Sequence, residues 1–153
     1  MKAALKFLTL SLLIVLSAAM SGCQNDGHIG WIFGSWRLDG YTVDGQSAMD
    51  AQARATVFSF QNSVVMVTLA PSEHGDTDTL YGSWTEDGDS FTLDFSHSDD
   101  QRPSGTDLYS APTWIGMQSM KMEMAIIHHD RRFTLSWTDP EGRNLVYKFK
   151  KIL

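Results

Sequence analysis

Residues 79–96 read TLYGSWTEDGDSFTLDFS, and this stretch decides the fold class. Leu80, Gly82 and Trp84 alternate with Thr79, Tyr81 and Ser83; Phe91, Leu93 and Phe95 alternate with Thr92, Asp94 and Ser96. A period of two puts each set on one face of an extended strand. Between the runs lies Glu86-Asp87-Gly88-Asp89, where Asp-Gly tolerates the positive φ of a tight hairpin turn. Two amphipathic strands so joined form an antiparallel hairpin with one apolar and one polar face.

The same pattern extends both ways along the chain. Toward the N-terminus, Phe58 and Phe60 share a face within 54–61, Gln61-Asn62-Ser63 reads as a turn into Val64 to Leu69, and Gly34 to Val43 forms the first strand. Toward the C-terminus, Met120, Met122, Met124 and Ile126 alternate with Lys121, Glu123 and Ala125, and His128-His129-Asp130 reads as the next turn. Phe133, Leu135 and Trp137 follow, then the turn Asp139-Pro140-Glu141-Gly142, then Leu145, Tyr147 and Phe149 opposed by Lys148 and Lys150. The best helical candidate is Gln46 to Arg54, with one short helical turn at Pro112 to Met117 and a long polar connection at 97–113. About eight strands result, at the spacing of a sandwich or barrel. Strands apolar on one side belong to an antiparallel meander. With no long helix to cover the apolar face, the sheet closes on itself or splits into two packed layers. Closure also removes exposed edges.

The N-terminus, MKAALKFLTLSLLIVLSAAMSGC, has a different character. Lys2 and Lys6 give it a positive start, and Phe7 to Leu16 form an apolar run. That run is too short for a bilayer core, which takes about 20 apolar residues, and the pattern predicts a secretory signal over residues 1–22. Met20-Ser21-Gly22-Cys23 resembles the bacterial lipobox, which implies that Cys23 becomes a lipidated N-terminus holding the protein to a membrane. Cys23 is the sole cysteine, and a lone thiol in an exported protein is otherwise free to pair between molecules. Residues 23–30 read as a polar, Gly-rich lipidated tether. Gln24, where Asp is absent, resembles the sorting pattern of outer-membrane lipoproteins and leaves the face of the membrane open.

Removing 22 residues from 153 leaves 131, the size of one domain, and enough to bury a core without cross-links. The signal carries two of the 12 basic residues and none of the 18 acidic ones, so the remainder has a formal charge near −8. Such a surface repels phosphate backbones, and nucleic acid is not an expected partner. The sequence holds no nucleophile elbow, zinc-protease motif or phosphate loop, so neither an enzyme nor a cofactor is expected. His97-Ser98-Asp99-Asp100 and Glu86-Asp87-Gly88-Asp89 lack the spacing of a calcium loop. The Met120, Met122, Met124 ladder beside His128 and His129 raises soft-metal binding. Adjacent histidines on a strand point to opposite faces, however, so no metal site is expected.

Gly34-Ser35-Trp36, preceded by Trp31-Ile32-Phe33, resembles the Gly-x-Trp signature of lipocalins. Together with the ending Tyr147-Lys148-Phe149-Lys150, it resembles small bacterial lipoproteins carrying a lipocalin-like domain. The resemblance implies an all-β fold over residues 31–153: an up-and-down meander of about eight antiparallel strands closed into a lipocalin-like barrel. It also implies that Trp36 closes the bottom of the barrel, packed under a basic residue of the last strand. No arginine follows Arg143, which leaves Lys148 or Lys150 for that place, and the large C-terminal helix of lipocalins is missing.

The expected inner face includes Trp36, Phe58, Phe60, Trp84, Phe91, Phe95, Met120, Met122, Met124 and Trp137. Flexible, polarizable methionine suits a cavity for a small hydrophobic ligand and equally fills gaps in an ordinary core. Bulky aromatics on so narrow a barrel can also leave no cavity. Two functions therefore stay open: a membrane-tethered carrier of a small hydrophobic ligand, and a filled barrel interacting with another envelope protein. Trp31 and Trp114 fall outside the alternation, as interface anchors or as lids over the barrel ends.

Overall fold

A computed structural model describes residues 30–69, 79–96, 109–129 and 131–152. Cys23, the predicted signal and most of the long connection at 97–113 lie outside these residues. The strands are β1 Gly34–Val43, β2 Gln46–Ser47, β3 Val57–Gln61, β4 Val64–Thr68, β5 Thr79–Asp87, β6 Ser90–Asp94, β7 Lys121–His129, β8 Arg132–Thr138 and β9 Asn144–Lys151. Each pairs antiparallel with its neighbour in the order β1-β3-β4-β5-β6-β7-β8-β9, and β9 returns to pair with β1. The sheet is thus a closed barrel of eight strands, with the two-residue β2 folded back on β1. Closure, left open by the alternation alone, is settled by the register Leu38↔Phe149 through Val43↔Leu145.

Within the long strands the period-two apolar residues turn inward. In register they face one another across neighbouring strands: Trp36 with Phe58, Trp84 with Leu93, Leu93 with Met122, and Leu135 with Tyr147. Trp31–Leu153 makes one compact unit around this core. Among the described residues no helix is long and apolar enough to cross a membrane.

Two local expectations are corrected. The segment expected as a helix from Gln46 to Arg54 starts as strand, because Asp44 and Gly45 both take positive φ (50° and 80°) and turn Gln46 back against Val43. Only Ala51–Ala55 is helical (α1), capped by Asp50, whose carboxylate accepts from the Ala53 N–H at 2.7 Å. His128 and His129 are not a turn but the last residues of β7, paired with Phe133 and Arg132. The one short helical turn expected within Pro112 to Met117 is present, as a 3₁₀ turn at Thr113–Ile115.

That turn closes one end of the barrel. The buried Tyr147 hydroxyl donates to the Ile115 carbonyl at 2.8 Å and accepts from the Trp137 indole N–H at 3.3 Å. Burial pushes the Tyr147 phenol well above its ordinary value, so it stays protonated and able to donate. At the same end the β8–β9 hairpin is tied by Asp139, whose carboxylate accepts from the Arg143 backbone N–H at 2.8 Å and from its Nε at 2.7 Å.

Burial opposes the charge on Asp139, but the hydrogen bonds and the guanidinium of Arg143 outweigh it and hold the carboxyl below its ordinary value. A depressed carboxylate adds stability above its unfolded pKa and loses it as pH falls through the folded one. Asp139→Asn is therefore expected to lower the melting temperature at neutral pH. Thermal unfolding across the acid range should show the gap to the parent chain closing as pH falls.

Candidate functional site: the inner face and the closed end

Nine of the ten expected inner-face residues are buried: Trp36, Phe58, Phe60, Trp84, Phe91, Phe95, Met122, Met124 and Trp137. The exception is Met120, which is 37% exposed. It has the right parity but precedes β7, in a bend where its N–H bonds the Gln118 carbonyl at 2.8 Å, so strand alternation does not govern its direction. The methionine ladder is two rungs, not three.

Inside, the rings touch one another across the barrel. Phe133 stacks on Phe149 with centroids 4.5 Å apart, Phe149 meets Phe58 edge-on at 5.0 Å, and Trp84 stacks on Phe91 at 5.7 Å. Phe60 bridges the groups, edge-on to Trp84, Phe91 and Phe133 at 5.9, 6.0 and 6.2 Å. These separations lie within the range of favourable aromatic pairs. Small residues complement large ones: a Cβ on Gly82 would lie 2.6 Å from the Phe95 ring, so the absence of a side chain there admits that ring. Phe58, Phe60, Phe91, Leu93 and Leu135 expose nothing, so no water-sized space opens against them.

Trp36 sits at the opposite end from the 3₁₀ turn. Gly34, with φ of 113°, occupies a conformation L side chains rarely adopt and turns Trp31–Phe33 back beneath the barrel. The Trp36 indole N–H then donates to the Ile32 carbonyl at 2.6 Å, and the ring meets Phe133 edge-on at 4.7 Å and Trp31 at 5.9 Å. The covering cation is Lys151, in place of the expected Lys148 or Lys150. Its ammonium lies 5.1 Å from the ring centroid and donates to the Trp31 carbonyl at 3.2 Å. Parity explains the change: Lys148 and Lys150 point out of the barrel, whereas Lys151 is the last residue of β9 and reaches under the rim.

Trp31 and Trp114 pack as lids. Trp31 is half-buried against Trp36, Phe133 and His128, and its indole donates to the Glu86 carboxylate at 3.0 and 3.1 Å. Trp114 lies partly buried at the other end, near α1, with its indole 3.4 Å from the Thr56 hydroxyl. His128 meets Glu86 at 3.3 Å, while His129 lines an outer groove, so the two histidines do diverge. Among the described residues no three His, Cys, Asp or Glu side chains gather as metal ligands.

The sequence reading missed Lys151, Glu86 and the outward row Arg37, Lys150, Arg132 and His129. The row's polar parity was legible, but its members become neighbours only through pairings that closure creates.

A closed eight-stranded meander, a Gly-x-Trp at its first strand and a cation over that tryptophan define a lipocalin-like protein. The profile of the lipocalin-like domain family matches residues 18–150, and the chain belongs to that family. No curated protein matches it in sequence. Among solved structures it is similar to a lipocalin-like protein from Bacteroides uniformis, at 17% identity and a TM-score of 0.55, over 80% of this chain and 100% of that one. It is also similar to an uncharacterized protein from Bacteroides eggerthii, at 15% identity and a TM-score of 0.53, over 78% and 98% of the two chains. At these identities the likeness is one of fold.

Trp36→Ala is expected to destabilise the protein by roughly 3–5 kcal/mol, the range for deleting a large aromatic from a packed core. Chemical denaturation measures it, and an unchanged midpoint would contradict the closing role of this ring.

Proposed function

We propose that this protein is a membrane-anchored lipocalin-like lipoprotein whose filled barrel serves as an interaction module of the cell envelope. The observation that carries this reading is the continuous ring packing from Phe149 through Phe133 and Phe60 to Trp84, which leaves the inner face occupied by the protein's own side chains. A carrier of the same size keeps that volume for its cargo. The anchor is supported by the charged start, the apolar run and the lipobox-like Met20-Ser21-Gly22-Cys23.

A second reading, binding of a small hydrophobic ligand, is favoured by Met122 and Met124, adjacent and buried on the inner face of β7. Lipocalin-like barrels commonly bind such ligands, and methionine repacks more readily than an aromatic.

Two measurements test the proposal. Cys23→Ala in the native host should move the protein from the membrane to the soluble fraction; retention in the membrane would contradict the anchor. Native mass spectrometry of residues 24–153, purified gently from that host, should give the mass of the chain alone, before and after added fatty acids. A discrete bound molecule would overturn the filled barrel in favour of the ligand reading.

A further inference from the structure

We infer that the outer face of β1, β9, β8 and β7 at the Trp36 end seats directly on anionic lipid headgroups of the membrane that holds the protein. This rests on the anchored reading above. Its central observation is a row of side chains paired in register: Arg37 opposite Lys150, Lys150 opposite Arg132, and Arg132 opposite His129. Directly opposite residues on one sheet face have Cβ atoms about 4.5–5.5 Å apart, and like charges so placed repel. Arg131 and Lys148 extend the row on either side, all of these side chains being exposed. Among the described residues, the one carboxylate within ion-pair reach of the row is Asp39, 4.0 Å from Arg37.

This concentration runs against the balance of the chain. After the predicted signal, ten basic residues face 18 acidic ones, yet Arg37, Arg131, Arg132, Lys148, Lys150 and Lys151 lie together on half the circumference. The acidic Glu86 and the Asp87-Gly88-Asp89 turn at the same end belong to β5 and β6 and border the row at β7. There Glu86 meets His128 at 3.3 Å and the Asp89 carbonyl accepts from the Ile126 N–H at 3.0 Å, so the basic row runs over β1, β9 and β8 and ends at His129. A self-repelling cationic row on an acidic protein is matched by a surface of fixed negative charge. Beside it runs a groove of about 450 Å³ lined by Asp39, His129, Arg132, Thr134 and Lys148, with room for headgroups.

Two further observations point to lipid. Phe33, Val64, Ile127 and Ile152 are exposed and lie toward this end, while the fifth large exposed apolar side chain, Met120, lies at the other. Apolar residues interleaved with Lys and Arg are the composition of an interfacial surface. The tether also begins here, because Trp31 packs against Trp36 and the chain from Cys23 joins it directly. Eight residues from Cys23 to Trp31 span at most about 28 Å when fully extended, which keeps this end close to the acyl chains.

Lysine acylation footprinting read by mass spectrometry tests the inference on the mature chain purified from membranes. The chain is reconstituted with vesicles of phosphatidylcholine alone or of equal parts phosphatidylcholine and phosphatidylglycerol. Modification of Lys148 and Lys150 should slow several-fold on the phosphatidylglycerol vesicles, while Lys121 at the far end keeps its rate. High salt, or the double variant Arg37→Gln and Arg132→Gln, should remove that protection without changing the melting temperature. A chain held by both vesicle types with equal lysine rates overturns the seating and leaves the anchor standing. A chain held only by the phosphatidylglycerol vesicles, with Lys148 and Lys150 protected, keeps the seating and removes the anchor. A chain held by neither overturns both.

Discussion

The structure depends on the pairing of its first long strand with its last. An eight-stranded meander without that seam has two open edges and an apolar face with nothing to cover it. The seam supplies a row of backbone hydrogen bonds and brings the inward residues of β1 and β9, among them Leu38 and Phe149, into one core. It also places Lys151 over Trp36, so that the last residue of the sheet finishes the site that the first few begin. Between Leu38 and Gly40 the register shifts, and the irregularity leaves Asp39 on the outside of an otherwise continuous seam.

What the barrel encloses follows from its width and from the size of what points inward. Eight strands leave an interior that side chains can fill, and this chain directs phenylalanine and tryptophan there from β1, β3, β5, β6, β8 and β9. Rings in edge and stacked contact resist rearrangement, since each is held by several others. The core leaves only the outside and the ends, where Trp31 and Trp114 pack as lids, free of this mutual constraint.

Much of this was legible in the chain. Alternation located every long strand, because a half-buried strand writes its burial directly into sequence at period two. Phe91, Leu93 and Phe95 needed no partner to be read as inward. Three other features exist only in the folded chain. Met120 shares the parity of Met122 but not its strand, and periodicity cannot say where a strand begins. Gln46 and Ser47 were masked by the helical composition that follows, although the Asp44-Gly45 pair ahead of them carried a turn signal. The cation over Trp36 and the basic row are properties of register, and register between the chain's two ends appears only on closure.

The seam between β1 and β9 also governs when the fold can exist. Leu38 and Phe149 are separated by most of the domain, and their contact cannot form until the final strand is available. Until then the first strand is paired along β3 and, at its end, β2; its β9 edge stays open, and Trp36 lacks its covering lysine. Contacts so distant in sequence make folding slow and leave intermediates exposed. A chain emerging N-terminus first therefore cannot close its barrel until almost its whole length is available. Its topology works as a timer that withholds the native state until the last strand has been delivered.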